Sequence, residues 1–282
     1  MVDQASALRN LVRDSNEHTT KIFTVCSGKG GVGKTNLSTN LAIAFQELGK
    51  KVLVIDSDQG FANVNILLGE YVNNTIQDVY KGKVELKDVI IETHGISLIP
   101  GGNDVVDFSD DSISSEEFKR QFQSIGLYDI IIVDSSAGIS HRVLSNVIFA
   151  HEIIVVTTPE STALTDAYAL LKNINALKLK RRAKIIVNKT MDHEEGFEVY
   201  SRLKAAVDKY LSINLDYVGC VTDDRVVTKC VREGRPFYIA APRSDASIDV
   251  KRVASVLLEI ESKVIGSSVS DLFKKFQSIF KR

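Results

Sequence analysis

Gly28-Lys29-Gly30-Gly31-Val32-Gly33-Lys34-Thr35 follows the apolar run Ile22-Phe23-Thr24-Val25-Cys26 and precedes a helical pattern from Asn36 to Leu48. Gly28, Gly33, Lys34 and Thr35 satisfy G-x-x-x-x-G-K-[ST], in the strand, loop, helix context that a phosphate-binding loop requires. Its glycines let successive backbone N–H groups turn inward onto phosphate oxygens. Lys34 offsets charge at the β- and γ-phosphates, and the Thr35 hydroxyl can ligate Mg²⁺. Lys29 has no place in this scheme. A second lysine in so tight a loop is either a solvated surface charge or a further phosphate contact.

Outward from the loop, short β-branched runs alternate with longer amphipathic ones. Ile22–Cys26, Val52–Ile55, Ile96–Ile99, Asp129–Val133, Ile153–Thr157, Lys184–Val187 and Tyr217–Val221 read as strands. Several are apolar on both faces, as strands buried under helices on either side of a parallel sheet are. The fold class is therefore α/β, a doubly wound, mostly parallel sheet with ligand chemistry at the carboxyl ends of its strands. Residues 21–265 form the core unit, and residues 1–20 and 266–282 read as appendages, the second set off by Gly266-Ser267-Ser268.

Two strand ends carry acids. Val52-Leu53-Val54-Ile55 runs into Asp56-Ser57-Asp58, and Ile130-Ile131-Ile132-Val133 runs into Asp134. Carboxylates placed there can organise water and Mg²⁺ around a γ-phosphate. Either acid of the first pair can instead be a helix cap or a turn residue. Asn188, in Ile185-Ile186-Val187-Asn188-Lys189, offers both the donor and the acceptor that an adenine edge needs, or else serves a turn.

The loop resembles the deviant Walker-A ATPases, the ParA/MinD-like family, whose loop reads K-G-G-x-x-K-[ST]; Lys29 to Thr35 match it throughout. The resemblance implies an ATP-dependent homodimer in which Lys29 reaches the nucleotide of the facing subunit. It also implies slow, Mg²⁺-dependent ATP hydrolysis, with Lys34 and Lys29 offsetting charge on the transferred group. Asp58 would position the attacking water, Asp134 would support Mg²⁺ with Thr35 and Asp58, and Asp56 would lie behind them. It further assigns the base to Asn188 and to the loop Thr222-Asp223-Asp224, where Thr222 replaces the family's proline, and the ribose to Glu160.

Within that family, Asp56-Ser57-Asp58-Gln59-Gly60-Phe61-Ala62-Asn63-Val64-Asn65-Ile66-Leu67-Leu68-Gly69 is similar to the flagellar-number branch. Asn65 stands where that branch usually has aspartate. Asp3-Gln4-Ala5-Ser6-Ala7-Leu8-Arg9 matches the D-Q-A-x-x-L-R motif of the FlhG family. The resemblance implies docking of this segment, through Asp3, Gln4, Ala5, Leu8 and Arg9, on an SRP-type GTPase, FlhF. Motor-switch proteins or a flagellar transcription regulator are further partners among relatives. A MinD-type division-site regulator and a ParA-type nucleic-acid-binding ATPase are the competing readings. Lys178-Leu179-Lys180-Arg181-Arg182 could serve the second as a basic patch, but a five-residue cluster beside a helix end is more often a solvated face.

At the other end, Leu272, Phe273, Phe276, Ile279 and Phe280 recur at helical spacing with Lys274 and Lys275 opposite them. A basic amphipathic helix of this kind suits an anionic membrane surface, or docks on its own domain. Composition is that of an ordinary globular chain: 282 residues, 44% hydrophobic, 25% charged and a net charge of −1. No global charge points to nucleic acid, and no specific nucleic acid is expected. Cys26, Cys220 and Cys230 lack C-x-x-C spacing, which argues against a zinc site or disulfide frame. No apolar run reaches the roughly 18 residues of a membrane span. A cytoplasmic protein is expected, peripherally attached to the inner membrane face when ATP-bound, as at a cell pole.

Overall fold

A computed structural model of the chain describes residues 20–58, 63–102, 117, 120, 121 and 128–261. The expected partner motif at residues 3–9 and the amphipathic helix at 269–282 lie outside the described residues.

The described strands form one eight-stranded sheet in the order β3-β4-β2-β5-β1-β6-β7-β8. They are β1 Lys21–Ser27, β2 Val52–Ser57, β3 Ile91–Thr93, β4 Ile96–Ile99, β5 Ile130–Ala137, β6 Glu152–Thr157, β7 Arg182–Thr190 and β8 Asn214–Thr222. All neighbours are parallel except β3 and β4, which form an antiparallel hairpin at one edge. Its turn, His94-Gly95, has positive φ at both residues, the backbone that lets two short strands reverse tightly. The sequence reading missed β3 because Ile91-Glu92-Thr93 is too short and too polar to register as a strand.

Alternation along β1 sorts the two faces. Phe23 and Val25 face α1 (Lys34–Glu47), α8 (Phe237–Ala240) and α9 (Asp245–Glu261), packing with Leu37, Leu41 and Val250. Cys26 faces α4 (His141–Phe149) and α5 (Ser161–Ala176), against Val143, Val147 and Leu170. Phe23 stacks on Phe45 of α1 with ring centroids 6.0 Å apart. With helices on both faces, side chains of either parity leave water, each large one gaining about 1.5–3 kcal/mol. All three cysteines are buried and unpaired, and burial pushes the Cys26 thiol up to about 12.

The remaining helices are α2 Val64–Leu68, α3 Ile76–Tyr80, α6 His193–Tyr210 and α7 Arg225–Arg232. β1 lies between β5 and β6, so the chain leaving β1 sits at the crevice where successive strands diverge to opposite sides, the usual ligand position in such sheets. Several strands run further than the sequence suggests. β5 continues through Asp134, Ser135 and Ser136, and Asn188 lies within β7 instead of closing it.

A candidate nucleotide site

The loop between β1 and α1 wraps the amino end of α1. Gly33, the residue before the helix, has φ +88°, and Gly31 has φ +80°. These values favour glycine. Gly28 is required for a different reason: a Cβ there would lie 2.1 Å from the Asp166 carbonyl oxygen of α5. No side chain caps α1, so its first N–H groups are left for an anion. A cavity of about 390 Å³ opens over them, lined by Lys29 through Asn36 with Asp58, Asn63 and Ala137 among others.

The two loop lysines differ in their surroundings. Lys34 is buried, and its Nζ lies 2.9 Å from Asp134 Oδ1, which also accepts from the Ser38 hydroxyl at 2.8 Å. Lys29 is part-exposed; its Nζ meets Glu160 Oε2 and the Thr162 hydroxyl, each at 2.8 Å. Glu160 therefore stands outside the described cavity, paired with its own chain's Lys29, and this pair depresses its pKa. An exposed pair of this kind contributes little to stability, because water screens it.

Asp56 is buried and accepts three backbone N–H groups, from Asp58 at 3.0 Å, Asn63 at 3.1 Å and Val64 at 3.3 Å. It ties Asp58 to Asn63 and Val64 at the start of α2, which is the structural one of the two alternatives. Burial first, and the charge of Asp134 second, push it up to about 7 against those backbone bonds. Asp58 faces the cavity, and its pKa is raised chiefly by burial, with Lys34, the Ser136 hydroxyl and Arg142 opposing. Arg142, in the first turn of α4 after the Ser140 N-cap, was not singled out from sequence. No spacing rule reports it. Burial depresses its guanidinium and Asp58 holds it up.

Asp56 and Asp58 thus lie within electrostatic reach of Asp134, beside the buried cation Lys34, without three acids closing around one point among the described residues. Asp134 Oδ2 is buried and has no hydrogen-bond partner among the described residues. An all-oxygen set with a spare carboxylate oxygen and a nearby hydroxyl, Thr35, fits Mg²⁺. Asp134 and Asp56 stand behind the cavity wall, while Asp58 and Thr35 line it.

Beside the loop, Gly33, Asn36, Asn188, Thr222, Asp223 and Asp224 surround a smaller cavity. Asn188 donates its amide N–H to the Val32 carbonyl at 2.8 Å. It is therefore a strut for the phosphate loop. Asp224 caps α7 through Val226 N at 2.9 Å. The neighbouring Lys189, at φ +58°, donates to the Gly31 carbonyl at 2.9 Å. In the basic cluster at 178–182, Lys180 donates to the Ala150 carbonyl and Arg182 pairs with Asp216 at 3.3 Å. Both are spent within the chain. Asn65 donates to the Glu70 carbonyl at 3.2 Å, a structural contact that asks for no charge.

A family model described as an AAA domain, AAA_31, matches residues 20–187. The antiactivator FleN of Pseudomonas aeruginosa is 38% identical, with 84% of this chain and 86% of that protein aligned. The flagellum site-determining protein YlxH of Helicobacter pylori is 32% identical across 100% of this chain and 98% of its own. Among solved structures, the septum site-determining protein MinD of Pyrococcus horikoshii, complexed with Mg-ADP, superposes with a TM-score of 0.67. It is 30% identical, and the match covers 87% of this chain and 100% of that one.

Proposed function

We propose, from the premise that the chain belongs to the FlhG family of MinD/ParA-like ATPases, which includes FleN and YlxH, that it is an ATP-driven switch regulating flagellar number and placement. The observation that carries the reading is the contrast within one loop: Lys34 buried on Asp134, Lys29 part-exposed at the mouth.

In this reading the backbone N–H groups of residues 30–35 and the start of α1 cradle the phosphates, and Lys34 lies along the β/γ side. Mg²⁺, held through the Thr35 hydroxyl and supported by Asp134 and Asp58, would offset phosphate charge. Asp58, with its raised pKa, accepts a hydrogen bond from the attacking water and orients it. Lys34 and the Ser136 hydroxyl, and to a smaller extent Arg142, favour the ionised form of Asp58. Lys29 leaves Glu160 and reaches the γ-phosphate side of the facing subunit, so that dimerisation depends on ATP. Because the Lys29–Glu160 pair is worth so little, a triphosphate outcompetes it. Departure of the γ-phosphate then loosens the dimer, and hydrolysis acts as a timer for assembly.

The dimer would present the basic amphipathic sequence at 269–282 twice to an anionic membrane, which raises avidity. The segment at 3–9 would act on the SRP-type GTPase FlhF. Light scattering with and without ATP, followed by sedimentation with anionic liposomes and with non-specific DNA, tests the reading. ATP-dependent dimers that pellet with lipid support it. Salt-sensitive DNA binding without lipid binding would overturn it in favour of a partition-type ATPase. Stimulation of GTP turnover by a peptide of residues 1–20 tests the partner assignment; no stimulation removes it.

A further inference from the structure

The smaller cavity owes one wall to a residue outside it. Thr222 ends β8, and both its donors converge on one oxygen of a buried carboxylate in α9: its N–H reaches Asp249 Oδ2 at 3.0 Å and its hydroxyl at 2.7 Å. The other oxygen, Oδ1, is met by Arg252 Nη1 and His193 Nε2, each at 3.1 Å. Asp249 is 3% exposed. Beyond Thr222 the chain is pinned twice more, by Asp223 N on the Thr190 carbonyl at 2.8 Å and by the Asp224 cap of α7.

We propose that Asp249 is a positioning residue for base recognition, fixing the 222–224 wall of the cavity beside Gly33 and Asn36 so that a nucleobase meets a preformed surface. The inference rests on reading that cavity as the adenine side of the nucleotide site. Binding to an ordered wall avoids the cost of ordering it. Removing the charged acceptor frees two donors of Thr222 and moves that cost onto the base. The phosphate loop, held by Asn188 on the Val32 carbonyl and Lys189 on the Gly31 carbonyl, should not respond. A carboxylate that merely ties α9 to β8 would change thermal stability and leave base recognition alone.

The test compares full-length wild type with Asp249→Asn, Thr222→Val and the double variant by calorimetric titration of ADP and of inorganic pyrophosphate. The ratio of the two dissociation constants isolates the nucleoside contribution. Each single variant is expected to lower the pyrophosphate-to-ADP ratio roughly 5–20-fold, the range of one or two hydrogen bonds of ordinary net strength, with pyrophosphate affinity unchanged. The double variant should be no worse than Asp249→Asn, since both act through one contact. Thr222→Ser keeps both donors and should retain the wild-type ratio. If Asp249→Asn does not fold, Thr222→Val, whose carboxylate keeps Arg252 and His193, carries the test. An unchanged ratio, equal weakening of both ligands or additive losses would overturn the inference. A wild type that binds ADP no better than pyrophosphate would instead defeat the adenine-side reading, and this inference with it.

Discussion

The two ends of the central strands carry the same kinds of side chain in opposite arrangements. At the amino end, Glu152 of β6 sits between Lys21 of β1 and Lys184 of β7, 2.7 Å from each, and all three are largely buried. The two lysines hold its carboxyl below the usual range although burial alone would raise it. At the carboxyl end, Lys34 faces Asp134, Asp56 and Asp58; burial first and the charge of Asp134 second raise Asp56 to about 7, and burial chiefly raises Asp58. One acid between two cations has its charge offset, even though its Oε2, 2.7 Å from Lys184 Nζ, lacks hydrogen-bond geometry just as Asp134 Oδ2 lacks a partner. Acids beside one buried cation, with Asp134 Oδ2 unpartnered among the described residues, leave negative charge for a divalent ion to offset. A structural ion cluster and a ligand site are thus distinguishable by their charge bookkeeping before any ligand is seen.

The contrast breaks first at Lys34. Lys34→Ala removes the cation beside Asp134 and the phosphate lysine together, and should abolish ATP turnover, a loss of at least about 10³-fold. It should also destabilise the fold by about 3–5 kcal/mol, because Asp134 keeps only Ser38 as a partner. ATPase assay and urea unfolding of the same preparation measure both. Retained turnover would mean that the carboxyl end is a structural cluster like the other.

Asp58→Ala tests the cavity-facing acid. It should lower turnover about 10²–10⁴-fold, the range for a positioned base, while nucleotide affinity persists and the ATP-bound dimer accumulates. Unchanged turnover would transfer the role of orienting water elsewhere, with Arg142 no longer explained by its neighbour.

How much of this was legible depended on whether chemistry and backbone spoke together. The phosphate loop was legible because glycine spacing, strand and helix all constrain the same eight residues. Asp134 was legible because four apolar residues precede it. Asp56 and Asn188 were only half legible: the types and positions were evident, yet their bonds to Asp58, Asn63 and Val64 and to Val32 depend on where the turn and the loop close. Arg142 and Asp249 were not legible at all, since each acts on a residue far away in sequence, and nothing local distinguishes an arginine on α4 or an aspartate on α9 from a surface charge. The edge strand β3 was lost for a third reason, its three residues carrying no period.

Lys29→Ala sharpens the contrast between the loop's own lysines. Its pair with Glu160 is exposed, so monomer stability should hardly change. ATP-dependent dimerisation in light scattering should nevertheless be lost, and turnover with it. Normal dimerisation with ATP would return Lys29 to the status of a surface charge.

At the amino end the expected effect on turnover is the smallest. Glu152→Gln leaves Lys21 and Lys184 buried without their acid and should cost about 3–5 kcal/mol of stability, with ATP turnover unchanged at temperatures where the variant is folded. The pH dependence has a definite sign. Because the folded protein holds the Glu152 pKa below its unfolded value of about 4.3, its contribution is fully present above that value and is lost as pH falls toward the folded pKa. The stability gap between wild type and Glu152→Gln should therefore be constant from pH 7 to about pH 5 and narrow below about pH 4. Urea unfolding at successive pH values measures that gap. A gap that widened on acidification would mean that Glu152 binds protons more readily folded than unfolded, and the amino end would then resemble the carboxyl end after all.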